Sequence, residues 1–92
     1  MTTSNVFIKD PDATLDYGFD WSQWLQIGES LYSFVVSATT GITVASSAST
    51  TGSVIVWLSG GTSGSRYDIA CKITTTDNRI DERTIRIDVR NR

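Results

Sequence analysis

The 92-residue chain is predicted to fold as one small all-β sandwich, and three observations predict it. Val, Ile, Thr and aromatic residues stand where a helical protein would carry Leu, Ala and Lys. Apolar and polar residues alternate with period two over several segments. Turn signals rich in Gly, Ser, Asn and Asp recur between those segments every ten or so residues, as in sandwiches. A hydrophobic fraction of 39% suffices for one core, and the length leaves no room for a second domain.

Taken in order, residues 1–14 read as an extended arm, with a turn at Asp10-Pro11-Asp12 where Pro11 keeps Asp10 out of helical angles. Leu15, Tyr17, Phe19 and Trp21 then share one strand face, opposite Asp16, Gly18 and Asp20. At Asp20 the period changes. Trp21, Trp24 and Leu25 have helical spacing behind Asp20 as N-cap, which predicts one helical turn across a sheet edge, ended by Gly28. Residues 31–37 form the next strand, with Tyr32, Phe34 and Val36 on one face. Ile42, Val44 and Ser46 make a short strand after Thr40-Gly41. The small residues 45–53 suit either a loop or a twisted edge strand.

Residues 54–58 form a dense apolar run of the kind found in sandwich cores, so Trp57 is expected inside. Residues 59–64 are a Gly-rich loop. Two long alternating strands follow, one through Tyr67, Ile69, Cys71 and Ile73, the other through Ile85, Ile87 and Val89, joined by the hairpin residues 76–79. Tyr67 opens its strand after a Gly-rich corner, with Ile69 two residues on. That is a tyrosine-corner arrangement, with Ile69 at the place of a disulfide cysteine and Trp57 available to pack nearby. The expected architecture is therefore an Ig-like antiparallel β-sandwich over residues 15–92, preceded by the arm.

Composition excludes much chemistry. The chain has no His, so Ser–His and Cys–His catalytic arrangements cannot be built and the commonest transition-metal ligand is missing. The lone Cys71 cannot form an intramolecular disulfide, and its place in an alternating strand reads as a small core residue. Asp10, Asp12 and Asp16 are spaced like the first ligands of a calcium loop, but Trp21 occupies the position of the closing Glu; a solvated turn is expected. The Gly-rich loop lacks both a lysine and a following helix, so it is no phosphate cradle. No catalytic residue, metal or cofactor is expected.

The net charge of −2 hides a split. Lys9 alone opposes five acids in residues 1–65, whereas residues 66–92 hold seven basic and five acidic groups. In the basic part, Asp81, Glu82 and Asp88 interrupt Arg79, Arg83, Arg86 and Arg90, so ion pairs are expected rather than a nucleic-acid track. Residues 1–9 lack the pattern of a signal peptide and no apolar run reaches membrane-spanning length, so neither export nor a membrane partner is expected.

The run Lys9-Asp10-Pro11-Asp12-Ala13-Thr14-Leu15-Asp16-Tyr17 and the following Asp20-Trp21-Ser22-Gln23-Trp24-Leu25 resemble the start of the fiber-tail adaptors of tailed bacteriophages. Val56-Trp57-Leu58-Ser59-Gly60-Gly61-Thr62, with Arg79-Ile80-Asp81-Glu82-Arg83-Thr84-Ile85, continues the resemblance, which runs from about Lys9 to Arg90. It implies a non-enzymatic virion structural protein, made in the host cytoplasm and placed in the tail. It would join fibers to the tail tube, nozzle or baseplate, with other tail proteins and copies of itself as partners. A partner interface is then expected at Val6, Phe7 and Ile8 of the arm, at Trp21 and Trp24, and at Arg86 and Arg90. The alternative from the residues alone is a carbohydrate-binding or adhesion module using the tryptophans as a stacking platform.

Overall fold

The structure, a computed structural model, describes residues 6–90. Seven strands alternate apolar and polar side chains because each sheet has one face to bury. They are β1 (Val6–Lys9), β2 (Leu15–Asp20), β3 (Leu31–Ala38), β4 (Ile42–Ser49), β5 (Ser53–Gly60), β6 (Arg66–Thr75) and β7 (Ile80–Val89). One sheet has the order β1-β7-β6-β3, the other β2-β5-β4. All pairs are antiparallel except β1 with β7, which is parallel. Val6–Lys9 falls within the segment read from sequence as an arm and is an edge strand of the first sheet; residues 1–5 of that arm lie outside the described residues.

The core fills the space between the sheets. Phe19, Val54, Val56 and Leu58 from one sheet meet Ile69, Cys71, Ile73, Ile85, Ile87 and Val89 from the other. Two strands depart from simple alternation. A bulge between Leu31 and Ser33 turns Tyr32 outward, 77% exposed, and leaves Phe34 and Val36 facing the core. The expected grouping of Tyr32 with Phe34 and Val36 is therefore wrong, because one extra residue reverses the side on which its neighbour points. A second bulge, between Val44 and Ser46, lets the small-residue stretch continue as edge strand β4 as far as Ser49.

The crossover from β2 to β3 passes from one sheet to the other. Asp20 Oδ1 accepts the Ser22 N–H at 2.9 Å, and the Trp24 and Leu25 N–H groups reach the Trp21 carbonyl, closing a hydrogen-bonded turn rather than a helix where one helical turn was expected. At its far end Glu29 lies buried against the β6–β7 hairpin. Its Oε1 accepts from Arg79 Nη2 and the Gln26 N–H, and its Oε2 accepts from Arg79 Nε and the Thr75 hydroxyl. Both carboxylate oxygens are thus doubly satisfied. The Arg79 guanidinium also donates to the Trp24 carbonyl and lies 4.0 Å over the Trp24 ring. The hydrogen bonds from Arg79, helped by those from Gln26 and Thr75, hold the Glu29 carboxyl down to about 2 despite its burial.

At the opposite end, the Thr62 N–H donates to the Tyr67 hydroxyl at 2.9 Å. Gly61 makes this corner possible. Its φ is +95°, and a Cβ there would stand 2.7 Å from Val89 Cγ2. Gly64 has a similar φ of +92° with open space around it.

Gly61→Ala therefore combines strain with a clash and is expected to cost roughly 2 kcal/mol, a fall in Tm on the order of 10 °C for a domain of this size. Gly64→Ala carries the strain alone and should lose clearly less; equal losses in thermal denaturation would rule out the Val89 contact as the cause. Glu29 makes a pH-dependent contribution of defined sign. Its folded pKa of about 2 lies below the ordinary value of 4.5, so its stabilisation is present above pH 4.5 and lost as pH falls towards 2. Thermal melts between pH 7 and pH 2 should show Glu29→Gln less stable than the native chain at pH 7 and less sensitive to pH below 4.5.

Candidate partner interface

Four of the seven interface residues expected from sequence come together on one surface. Register pairs Val6 with Arg86 and Ile8 with Asp88, so these side chains share the outer face of β1 and β7, and Arg90 follows beside Asp88. Val6 and Ile8 are exposed there. The arginines are answered within the sheet: Arg86 Nε lies 3.1 Å from Asp68 Oδ1, Arg66 Nε 3.2 Å from Asp88 Oδ1, and Arg90 Nη2 3.4 Å from Asp88 Oδ2. This outer face is a ladder of alternating charge. The exposed Arg86–Asp68 pair contributes little stability, whereas Asp88 is buried between Arg66 and Arg90; together they fix where charge stands on the surface.

The other three residues are elsewhere. Phe7 points inward, its ring 5.1 Å from that of Tyr17. Next to it Lys9 is wholly buried, and its ammonium donates to the carbonyls of Asp10 and Gly60 at 2.9 and 2.8 Å. Burial pushes the Lys9 pKa below the usual lysine range. Lys9 thereby ties β1 to the Gly-rich corner.

Trp21 has no accessible surface and cannot meet a partner. Its ring stacks on Phe19, its Nε1 donates to Asp81 Oδ2 at 2.8 Å, and the Arg83 guanidinium lies 4.8 Å over it. The period-two pattern of β2 carries on through Trp21 into the core, which is why it is sealed. Trp24 is half-buried beneath Arg79.

Trp57 reverses its expectation. It is 42% exposed, on the outer face of β5. Val54, Val56 and Leu58 take the inner positions, so Ile55 and Trp57 must take the outer ones. A continuous apolar run has no phase of its own. The available signal was the flanking pair Ser53 and Ser59, which share the parity of Trp57 and mark the solvent side.

Around Trp57 the second sheet is unusually plain. Its neighbours across the strands are Asp16 and Ser46, and those of Ile55 are Gly18 and Ala48. An open groove of about 470 Å³ runs beside Ile55, bordered by Gly18, Asp20, Ser22, Gly52 and Ser53. Nothing lies within 4 Å of where a Gly18 Cβ would stand. Asp16 and Asp20 are the only charged residues on β2, β4 and β5, and none of these strands carries Lys or Arg.

The reactive groups weighed in the sequence sit in structural roles. Burial pushes the Cys71 thiol up to about 12, so it stays protonated. Asp10 Oδ1 accepts the Asp12 N–H at 2.8 Å and closes the turn after Pro11. Among the described residues no group of three or more His, Cys, Asp or Glu side chains could hold a metal ion.

The family model described as podophage GP4 fiber-tail adaptor protein gp77 matches residues 9–88, a span that includes all of β2 to β6 and most of β7. The chain belongs to this family. The match begins at buried Lys9 and takes in Glu29, Arg79 and the Gly60-Gly61 corner, so both closures of the sandwich lie within the family's span. Among solved structures, the cysteine protease inhibitor EhICP2 from Entamoeba histolytica is similar, with a TM-score of 0.51 over 90% of this chain and 84% of that one. At 8% identity that likeness concerns the fold. No curated protein matches the chain.

Proposed function

We propose that the protein is a non-enzymatic virion component that joins tail fibers to the tail tube, nozzle or baseplate of a podophage. The single observation that carries this reading is the family match across nearly the whole sandwich. The chemistry agrees with it: the chain has no histidine, its only thiol is buried and protonated, and the arginines among the described residues are paired within the fold. What the molecule offers is a two-sheet block closed at both ends by side-chain clasps, with surfaces on both outer faces. The proposal includes synthesis in the host cytoplasm, residence in the tail, and contacts with other tail proteins and with copies of itself.

An Ig-like assignment belongs to the same proposal. The orders β2-β5-β4 and β7-β6-β3 correspond to the BED and GFC orders of immunoglobulin domains, and the Thr62–Tyr67 hydrogen bond sits at the corresponding corner. The carbohydrate-binding alternative is weakened by the tryptophans: Trp21 is sealed and Trp24 is covered by Arg79, so no row of stacking rings exists among them.

Untagged protein mixed with purified fiber, tube and nozzle proteins of the same phage is expected to co-elute with at least one on size exclusion, with mass photometry giving a defined complex. A monomer that ignores all of them would refute the adaptor reading.

A further inference from the structure

We infer that the outer face of the β2-β5-β4 sheet is a docking face for a partner protein that presents a projecting apolar side chain ringed by Lys or Arg. The inference rests on the adaptor reading and adds the surface and the chemistry of its partner. Three observations carry it.

The first is the position of Trp57. It stands on the middle strand of a three-stranded sheet, so it occupies the centre of the face, and it is the most exposed of the three tryptophans. A central, partly exposed Trp beside an Ile is the composition of an interface hot spot, where a few large side chains supply most of the binding energy. Free in water, the same pair gains nothing.

The second is relief. Gly18 and Ala48 flank Ile55 on either side and supply almost no bulk, and the groove of about 470 Å³ opens there. A ridge at Trp57 beside a hollow at Gly18 accepts a projecting side chain from the partner and surrounds it on several sides. Shape of this kind gives complementarity that a flat sheet lacks.

The third is charge, and it selects the partner. The strands of this sheet carry Asp16 and Asp20 and no cation. Asp16 sits beside Trp57 in register and Asp20 borders the groove, so both carboxylates stand at the rim of the apolar centre. The Asp20 carboxyl is held below its usual range, first by the Ser22 N–H and in smaller part by the Arg83 guanidinium, which donates to the Asp20 carbonyl at the edge of the sheet. Asp16 is thus the rim carboxylate beside Trp57 and Asp20 the one at the groove's end. An acidic rim repels acidic surfaces and favours basic ones, which sets specificity and association rate more than affinity. The opposite sheet, with its cations paired to acids, offers no comparable single-sign rim.

The test titrates the native chain, Trp57→Ser and the double variant Asp16→Lys/Asp20→Asn, in which Asn keeps the oxygen that accepts from the Ser22 N–H, against purified tail proteins of the same phage at two salt concentrations. Tm serves as the folding control, and both changes sit on the solvent face of the sheet. A partner that binds the native chain should bind Trp57→Ser at least about 30-fold more weakly. It should bind the double variant about 10-fold more weakly, and native binding should weaken with salt. Unchanged binding by both folded variants would overturn the docking face and leave the adaptor reading standing. A native chain that binds no tail protein would overturn both. Binding of a glycan array in place of the tail proteins, lost in Trp57→Ser, would overturn the protein partner and assign the face to sugar.

Discussion

The fold depends most on the Glu29–Arg79 pair. The chain must cross from the second sheet to the first between β2 and β3, and a ten-residue crossover has no ladder to satisfy its backbone. Local turn bonds satisfy much of it, and Glu29 anchors the rest by lying buried with both oxygens doubly bonded, to Arg79, to Thr75 and to the crossover's own Gln26 N–H. Arg79 then covers Trp24 and reaches its carbonyl. A buried ion pair is weak support for stability in itself, because desolvation offsets attraction. Its value here is positional: it ties the crossover, through Gln26 and Trp24, to the β6–β7 hairpin at one end of the sandwich.

At the other end the constraint is space rather than charge. Gly61 lets the backbone pass within reach of Val89 and Tyr67, and Lys9 inserts its ammonium under the same corner to bind the Gly60 carbonyl. The middle of the molecule is an ordinary two-sheet core. Both ends are thus fixed by side chains that face inward. The outer faces are left free to vary in shape and charge without disturbing the fold, which suits a part whose work is contact.

Legibility in the sequence followed how much each segment constrained its own phase. In β2, in β6 and in β7 from Ile85 on, apolar residues alternate with polar or small ones, so strand and inward face could be read. The turn at Trp21 was readable from a change of period and an Asp cap. Tyr32 was not, because a bulge is set by how β3 meets β6 rather than by β3 alone. Trp57 was not, because five consecutive apolar residues hide which of them face out. For the candidate interface the outcome was mixed in the same way. Register brings Val6, Ile8, Arg86 and Arg90 of the expected set onto one outer face, whereas Trp21 and Phe7 are held by the core. The central feature of the second sheet, an exposed Trp on strands that carry no cation, emerged only when register placed Asp16, Gly18, Ser46 and Ala48 around β5.

A map of the intact virion tail at side-chain resolution tests the account most directly. The expected result places this domain between a fiber and the tube or nozzle, with Trp57 buried against a neighbouring protein and basic residues facing Asp16 and Asp20. A tail that lacks the chain, or one in which the β2-β5-β4 face looks into solvent, would contradict it.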